Sequence, residues 1–462
     1  MPQETLPLTG FKECDIRGEV GTDVTPALAR RLGQALASLA KDRRVLVGGD
    51  FRTSTPQLMA ELVRGAAESG AVVYDLGQLS TPAYYFARRR LGIPVAVMVT
   101  ASHSPPAHNG FKPVLGSLPI APEELDEIKR LVAGGDLGSG AGRIERLDIR
   151  ADYAHWLAER FSAAAPALPK MVLDCGNGAT GWALPEVLRL LQLDVEVLFA
   201  EPDGRFPNRS PDIAGPEDLA LLQDEVRKRG AALGAGFDGD GDRVGFVDER
   251  GHRVSSDRLI AWLAHELLQR ERGAAVIHDI KLSRAVPEAV EKAGGRPVVQ
   301  KSGHTFIKTA MLQYDALFGG EYSGHLFYRE LEGGDDGLFS ALLVASLVGE
   351  ARKPFSELLG TIPLYASTPD IRIRYTGDKA GLIRDAAAHA RAQGARITLL
   401  DGVKAEYDDG WALVRSSVTE PALTLRFEGP TRADMLDVAK RFLDGLGDVG
   451  KRVWAKVQEH AP

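Results

Sequence analysis

Between residues 44 and 321 short apolar runs recur, each separated from the next by a stretch of helical character, and this alternation restricts the chain to few architectures. RVLVGGD (44–50), AVVYDLG (71–77) and VAVMV (95–99) read as a first set of strands. A second set opens with MVLDCGNGATG (171–181), a strand entering a glycine-rich turn, and continues with VEVLFA (195–200) and AALGAGF (231–237). The third starts with a long helix near 255–272, followed by AAVIHDI (274–280), PVVQK (297–301) and ALFGGE (316–321). Strands alternating with helices predict parallel or mixed sheets. From about 366 the pattern changes. IRIRY (371–375), ITLLDG (397–402), WALVR (411–415) and LTLRF (423–427) read as close strands, with helices at 378–394 and 431–446. The expected fold is α/β: three similar α/β domains with mixed sheets, 1–150, 151–253 and 254–365, and a smaller C-terminal α+β domain, 366–462. AGGDLGSGAGR (133–143) is the best candidate for a flexible connector.

The most informative chemistry is DGDGDR (238–243), set between the apolar runs AALGAGF and VGFV. That context predicts strand, tight turn, strand. The glycines let the turn fold so that Asp238, Asp240 and Asp242 converge on one point. Hard oxygen ligands of this kind suit Mg²⁺, which completes its shell with a phosphate oxygen, and the planar fork of Arg243 suits phosphate as well. An EF-hand would place glycine at the sixth loop position, where this chain has Arg243, and would need flanking helices. An unliganded hairpin turn would leave three mutually repelling carboxylates without a counter-charge.

TASHSPPAHNGFK (100–112) follows VAVMV, so Ser102 falls at the C-terminal end of a strand, where open α/β sheets place ligands. Ser102 and His103 are neighbours whose side chains are expected to diverge, and no G-x-S-x-G elbow surrounds the serine. A serine that carries a phosphoryl group fits better. Lys112 would screen developing charge or move a proton. In GGEYSGH (319–325), Glu321 and Ser323 alternate with Tyr322 and in an extended segment face one side, where they could grip two sugar hydroxyls. RSSVT (415–419) offers enough donors to cradle a phosphate. GNGATG (176–181) lacks both the G-x-G-x-x-G pattern and the Walker lysine and reads as a strand–helix turn.

At 462 residues the chain should divide into several domains, and 44% hydrophobic with 26% charged residues is a soluble globular composition. A net charge of −7 argues against a nucleic-acid partner, so an anionic substrate must meet local positive charge such as Arg17, Lys112, Arg243 and Arg415. No apolar run is long enough to span a membrane, and the opening MPQETLPLTG has no signal-peptide character. Cys14 and Cys175 read as reduced thiols of a cytoplasmic protein.

Taken in order, these segments resemble the α-D-phosphohexomutase family and its phosphomannomutase/phosphoglucomutase branch. CDIRG (14–18) resembles the opening segment whose arginine, Arg17 here, contacts substrate. TASHSP resembles the phosphoserine loop, giving Ser102 and His103 with Lys112 after it, and DGDGDR resembles the metal loop. HDIKLSR (278–284) supplies Lys281, KSGHTFIK (301–308) supplies His304, and GGEYSGH resembles the sugar-binding loop with Glu321, Ser323 and His325. RSSVTEP (415–421) resembles the phosphate-binding loop, with Arg415, Ser417 and Thr419. The chain departs from the family at Cys14, Ser104 and Val418, where tyrosine, asparagine, and asparagine or glycine are usual.

The resemblance implies a triplicated core and four domains around a central cleft. It implies reversible phosphate transfer between the 1- and 6-positions of mannose or glucose phosphates through a phosphoserine and a hexose 1,6-bisphosphate. It further implies Mg²⁺ held by Ser102 and the three aspartates, glucose 1,6-bisphosphate or an equivalent as activator, and a monomer or small homo-oligomer. Lys112, His325 and Arg17 are the candidates for the general base. A phosphoglucosamine mutase, which tends to carry glutamine in place of Tyr322, and a non-catalytic sugar-phosphate binder are the alternatives.

Overall fold

The computed structural model describes residues 6–117, 119–134, 137–215, 217–416 and 422–460. The first sheet contains β1 (Ile16–Glu19), β2 (Arg44–Gly49), β3 (Val72–Gln78), β4 (Val95–Val99), β5 (His108–Leu115) and β6 (Arg143–Arg146), in the order β1-β5-β4-β2-β3-β6. The second contains β7 (Met171–Asp174), β8 (Glu196–Leu198), β9 (Leu233–Phe237) and β10 (Val244–Asp248), in the order β10-β9-β7-β8. The third contains β11 (Ala275–Asp279), β12 (Arg296–Gln300), β13 (Phe318–Gly320), β14 (Leu326–Tyr328) and β15 (Gly334–Asp335), in the order β12-β11-β13-β14-β15.

One arrangement underlies all three. In each sheet the leading core strand (β2, β7 or β11) lies between two parallel partners, β3 and β4, β8 and β9, or β12 and β13. The later of those partners then doubles back into an antiparallel neighbour, β5, β10 or β14. The reversal loops are the serine loop after β4, the aspartate loop after β9 and the Glu321 loop after β13. The same slot in three related sheets therefore carries the chemistry.

The fourth sheet is antiparallel throughout. Its strands are β16 (Ala366–Ser367), β17 (Ile371–Arg374), β18 (Arg396–Thr398), β19 (Val403–Tyr407), β20 (Gly410–Ser416) and β21 (Ala422–Gly429), ordered β16-β21-β20-β19-β18 with β17 also on β21. The chain does not close with the helix expected over 431–446. That helix covers Arg432–Leu443, and another, Gly447–His460, follows it. The expected connector at 133–143 is partly docked: Gly140 and Gly142 donate to the Glu68 and Ala67 carbonyls at 2.8 and 2.9 Å, leading into β6 at the sheet edge.

One large apolar core runs through the first three units, from Leu46 and Met98 through Leu173 and Phe237 to Trp262, Val276 and Phe339. The helix Gly337–Ala351 lies in it and is apolar on every side, as a fully buried helix must be. Asp336 starts that helix by accepting the Phe339 N–H at 2.9 Å. The last unit has its own core, around Ile371, Val414, Phe427 and Phe442, and meets the third unit through a small apolar patch of Ile280, Trp411 and Leu413. Among the described residues no helix is long and apolar enough to cross a membrane.

Candidate active site

The aspartate loop folds as the sequence implies. β9 and β10 pair antiparallel, with Phe237 opposite Val244, and the six loop residues turn between them. Gly241 sits at φ +81, a conformation that favours glycine. One carboxylate oxygen from each of Asp238, Asp240 and Asp242 lies within 4.8 Å of the others, and all three residues are buried. GNGATG is a strand–helix turn, and it braces this loop: the Ala179 N–H donates to the Gly239 carbonyl at 3.0 Å.

Ser102 reaches this cluster from the neighbouring unit. Its Oγ donates to Asp238 Oδ2 at 2.8 Å, although the two residues are 136 positions apart. The residue is almost completely buried and holds a positive φ of 50, a strained conformation for a non-glycine. The turn carries the side chain of His103 back toward it, so Nδ1 lies 3.4 Å from Oγ. The expectation that these side chains diverge is corrected here, because it presumed an extended backbone.

What holds the strained loop is Arg52, which the sequence reading missed. Its buried guanidinium donates to the carbonyls of Ser102 (2.8 Å), Ser104 (2.6 Å), Pro105 (2.8 Å) and His108 (3.0 Å). Asp50 pairs with it at 3.2 Å and also accepts from Thr55 at 2.7 Å. The Thr100 hydroxyl lies 2.8 Å from Asp50 and 3.2 Å from Asp240, and it accepts the Ser102 N–H at 2.9 Å. Serine loop and aspartate loop thus share one network.

Three carboxylates this close cannot all be satisfied by the protein. Lys112, on β5, bridges Asp240 and Asp242 at 2.9 Å each. Burial works against its charge, but the two aspartates overcome that and hold it firmly as an ammonium. Burial, followed by Asp240 and Asp242, raises the proton affinity of Asp238 well above the ordinary carboxylate range. Asp242 is held at about 2, its burial outweighed by Lys112 and His325. Asp240 Oδ1 and Asp242 Oδ1 are buried with no hydrogen-bond partner among the described residues. Orphaned anionic oxygens aimed at one point fit a divalent cation.

Beside this centre a cleft of about 1360 Å³ is lined by His103 and Ser104 from the first unit, Arg243 from the second, Lys281, Glu321 and Ser323 from the third, and Arg415 from the last. His103 is kept neutral by Arg243, burial and Arg17. Lys281 pairs with Asp370 at 3.2 Å, and Arg415 with Asp401 at 2.8 Å. The Glu321 loop is a tight turn rather than an extended segment, because Gly324 (φ +96) brings the His325 carbonyl back to the Glu321 N–H at 3.0 Å. Even so, Glu321 Oε2 and Ser323 Oγ are both buried without hydrogen-bond partners among the described residues, beside the same cleft.

Arg17, on β1, donates to Ser104 Oγ at 3.4 Å. His304 opens onto a neighbouring cavity of about 290 Å³ that it shares with Cys14 and Arg415. Burial, Lys112 and His325 lower its affinity for a proton to about 3. His325 is buried between Arg243 and Asp335, the latter another residue missed in the sequence. Ser417, Val418 and Thr419 lie outside the described residues.

Comparison with known proteins matches the chain to four family models in succession. They are phosphoglucomutase/phosphomannomutase alpha/beta/alpha domain I at 9–138, domain II at 151–251, domain III at 255–365 and the C-terminal domain at 371–445. A phosphomannomutase/phosphoglucomutase of Pseudomonas aeruginosa is 38% identical over 447 residues, 96% of each chain. A phosphoglucomutase of Neisseria meningitidis is 36% identical over 453 residues, 96% of this chain and 98% of its own. The crystal structure of a phosphoglucomutase/phosphomannomutase family protein from Burkholderia thailandensis superposes with a TM-score of 0.88 at 32% identity, covering 96% of this chain and 98% of that one.

Proposed function

The chain belongs to the phosphoglucomutase/phosphomannomutase family and is a phosphohexomutase, and from that premise we propose that Ser102 is its phosphoryl carrier and that glucose and mannose phosphates are its substrates. The observation that carries this reading is the Ser102 Oγ at 2.8 Å from Asp238, at the edge of a three-carboxylate cluster. Phosphorylated Ser102 gives its phosphoryl group to the 6-hydroxyl of a hexose 1-phosphate: the Oγ–P and O6–H bonds break, the O6–P bond forms, and the hydroxyl proton ends on Ser102 Oγ. The hexose 1,6-bisphosphate turns around in the cleft, and its other phosphate returns to Ser102, leaving the hexose 6-phosphate. A hexose 1,6-bisphosphate supplied from solution would recharge a serine that has lost its phosphate.

Asp238, Asp240 and Asp242 would hold Mg²⁺, which when bound supplies Lewis-acid neutralisation of the phosphoryl charge. Lys112 offsets the repulsion between Asp240 and Asp242 and adds positive charge. Arg243 lines the cleft beside the serine loop and Arg17 reaches Ser104 Oγ at 3.4 Å, and positioning with electrostatics is what phosphoryl transfer demands of a protein. Arg415 grips the non-reacting phosphate, with Ser417 and Thr419 proposed beside it. Glu321 and Ser323 take sugar hydroxyls, with Lys281 and His304 as further substrate contacts. Sheet membership supports domain boundaries near 150, 253 and 365, and the two unpaired thiols suit a reducing, cytoplasmic setting.

A head-to-head turnover assay tests the substrate assignment. Glucose and mannose 1-phosphates should give much higher kcat/KM than glucosamine 1-phosphate, because Glu321 accepts from hydroxyls and Tyr322 packs under Arg426, whose guanidinium carbon lies 4.2 Å from the ring centre. Glucosamine phosphate as the best substrate would overturn the assignment. In the same assay Arg415→Ala should raise KM roughly 10- to 100-fold, the cost of one charge-assisted phosphate contact. An unchanged KM would remove Arg415 from the phosphate site.

A further inference from the structure

The seam between the first and third units holds another cavity, of about 430 Å³, which shares no lining residue with the substrate cleft. The last turn of the helix Thr81–Leu91 contributes Arg88 and Arg89 to its wall. The helix His304–Gln313 contributes Lys308, Met311 and Leu312. A gap of about 20 Å³, room for one water, is bordered by Tyr85, Arg88 and Lys308 and also by Cys14, Lys112 and His304. The cavity therefore backs onto the reacting centre without opening into it.

Its charges do not balance. Arg329 also lines it but is paired with Asp315 at 3.3 Å and with Glu271. Glu332 is the other carboxylate on the wall, and it is exposed. Lys308, Arg88 and Arg89 form no ion pair among the described residues, although the next arginine, Arg90, meets Asp152 at 3.7 Å. Basic residues suit the negative end of a helix, which accounts for part of this run. It does not account for the donors left over. Arg89 is used as a stitch between the units, donating to the Leu331 carbonyl at 3.2 Å. Arg88 donates through Nη2 to the Gly116 carbonyl, but its Nε is buried with no hydrogen-bond partner among the described residues. Lys308 Nζ lies 3.6 Å from the centre of the Tyr85 ring. A ring face takes one side of an ammonium that has three N–H donors, and no acceptor among the described residues takes the others. Burial lowers the proton affinity of Lys308 to about 8; Asp335 opposes that shift, and Arg89 and Arg88 add to it. An anion in the cavity would satisfy both leftover donors at once.

We propose that this cavity is a second phosphate site, binding a small organic phosphate monoester whose phosphate is gripped by Lys308 Nζ and Arg88 Nε and whose body lies against Met311 and Leu312. The volume is that of a small-ligand pocket and exceeds what bare phosphate fills. Arg88 comes from the first unit and Lys308 from the third, so the ligand bridges the two. The Arg415 grip, by contrast, belongs to the last unit.

Tungstate, a tetrahedral dianion with strong anomalous scattering, tests the grip directly. In crystals of the full-length protein soaked in sodium tungstate, an anomalous peak should lie within hydrogen-bond reach of Lys308 Nζ and Arg88 Nε. No peak in this cavity overturns the proposal, whatever the substrate cleft holds. Pyridoxal 5′-phosphate tests the ligand class in solution, because its aldehyde condenses with a lysine amine, releasing water, and borohydride then fixes the imine as an amine. Peptide mapping should find Lys308 labelled at least about tenfold more by pyridoxal 5′-phosphate than by pyridoxal, and Arg88→Gln should remove that advantage. Arg88→Gln should keep mutase turnover within about threefold of the parent, which shows that the variant folds. Equal labelling of Lys308 by the two aldehydes, or an undiminished advantage in an active Arg88→Gln, overturns the assignment of a phosphate monoester.

Discussion

Ser102→Ala is expected to abolish mutase turnover, by at least about 1,000-fold, because it removes the atom that carries the phosphoryl group between the two half-reactions. Of the two hydroxyls equally near in sequence, that of Thr100 is occupied between Asp50 and Asp240, and that of Ser104 accepts from Arg17 at 3.4 Å. The variant should fold, since serine to alanine deletes one oxygen from a loop whose shape is held by Arg52 through backbone carbonyls. Peptide mass spectrometry of the parent should find the phosphate on Ser102, and the variant should carry none there. An alanine variant with parental turnover, or a parent whose phosphate lies on another residue, would refute the carrier role.

Asp240→Asn should cost more than about 100-fold, corresponding to about 3 kcal/mol of lost transition-state stabilisation, and excess chelator should do at least as much to the parent until Mg²⁺ is restored. The contacts of Asp240 fall on one oxygen: Oδ2 meets Lys112 at 2.9 Å and Thr81 at 2.8 Å, while Oδ1 has no hydrogen-bond partner among the described residues and is free for an ion. Asparagine keeps the size but turns a full negative charge into a dipole beside a buried ammonium. Turnover that survives both chelation and the substitution would rule out a metal at this site.

How much of this could be read from the sequence follows from range. The aspartate turn was legible because ligands, glycines and flanking strands all lie within one short segment. The strands of the three repeats were legible because they are buried on both faces and therefore run apolar, as in VAVMV. β5 was obscured by Pro113 and by two buried polar residues, Asn109, which donates to Ser54 and Thr55, and Lys112, which reaches the carboxylates. β19, VKAEY, carries a buried lysine whose Nζ reaches the Ile280 carbonyl and whose charge disguises it as surface. The last helix was hidden by Gly445, Gly447 and Gly450 around its start. Arg52, Asp50 and Asp335 were invisible for another reason. Each acts on residues brought close only by the tertiary fold, and an isolated arginine after GGD or a doubled aspartate before a helix looks like ordinary capping or surface charge.

The division of apolar core between the units has a mechanical consequence. The first three cannot separate without exposing a continuous hydrophobic interior, at about 25 cal/mol for every Å² uncovered. The fourth is attached differently. Besides the patch of Ile280, Trp411 and Leu413, its attachments include Lys404 to the Ile280 carbonyl (2.9 Å), Arg426 to Asp257 (2.7 Å), Lys281 to Asp370 (3.2 Å) and the Arg284 N–H to Glu428 (3.0 Å). Such charge-assisted bonds are replaced by bonds to water on separation, at a net cost of roughly 1.5–3 kcal/mol each. The energetically inexpensive swing is therefore that of the unit bearing Arg415, while nucleophile, carboxylates and sugar loop stay fixed relative to one another. A bisphosphate that must reverse end for end needs a wall that gives way, and the fold has placed the phosphate grip on that wall.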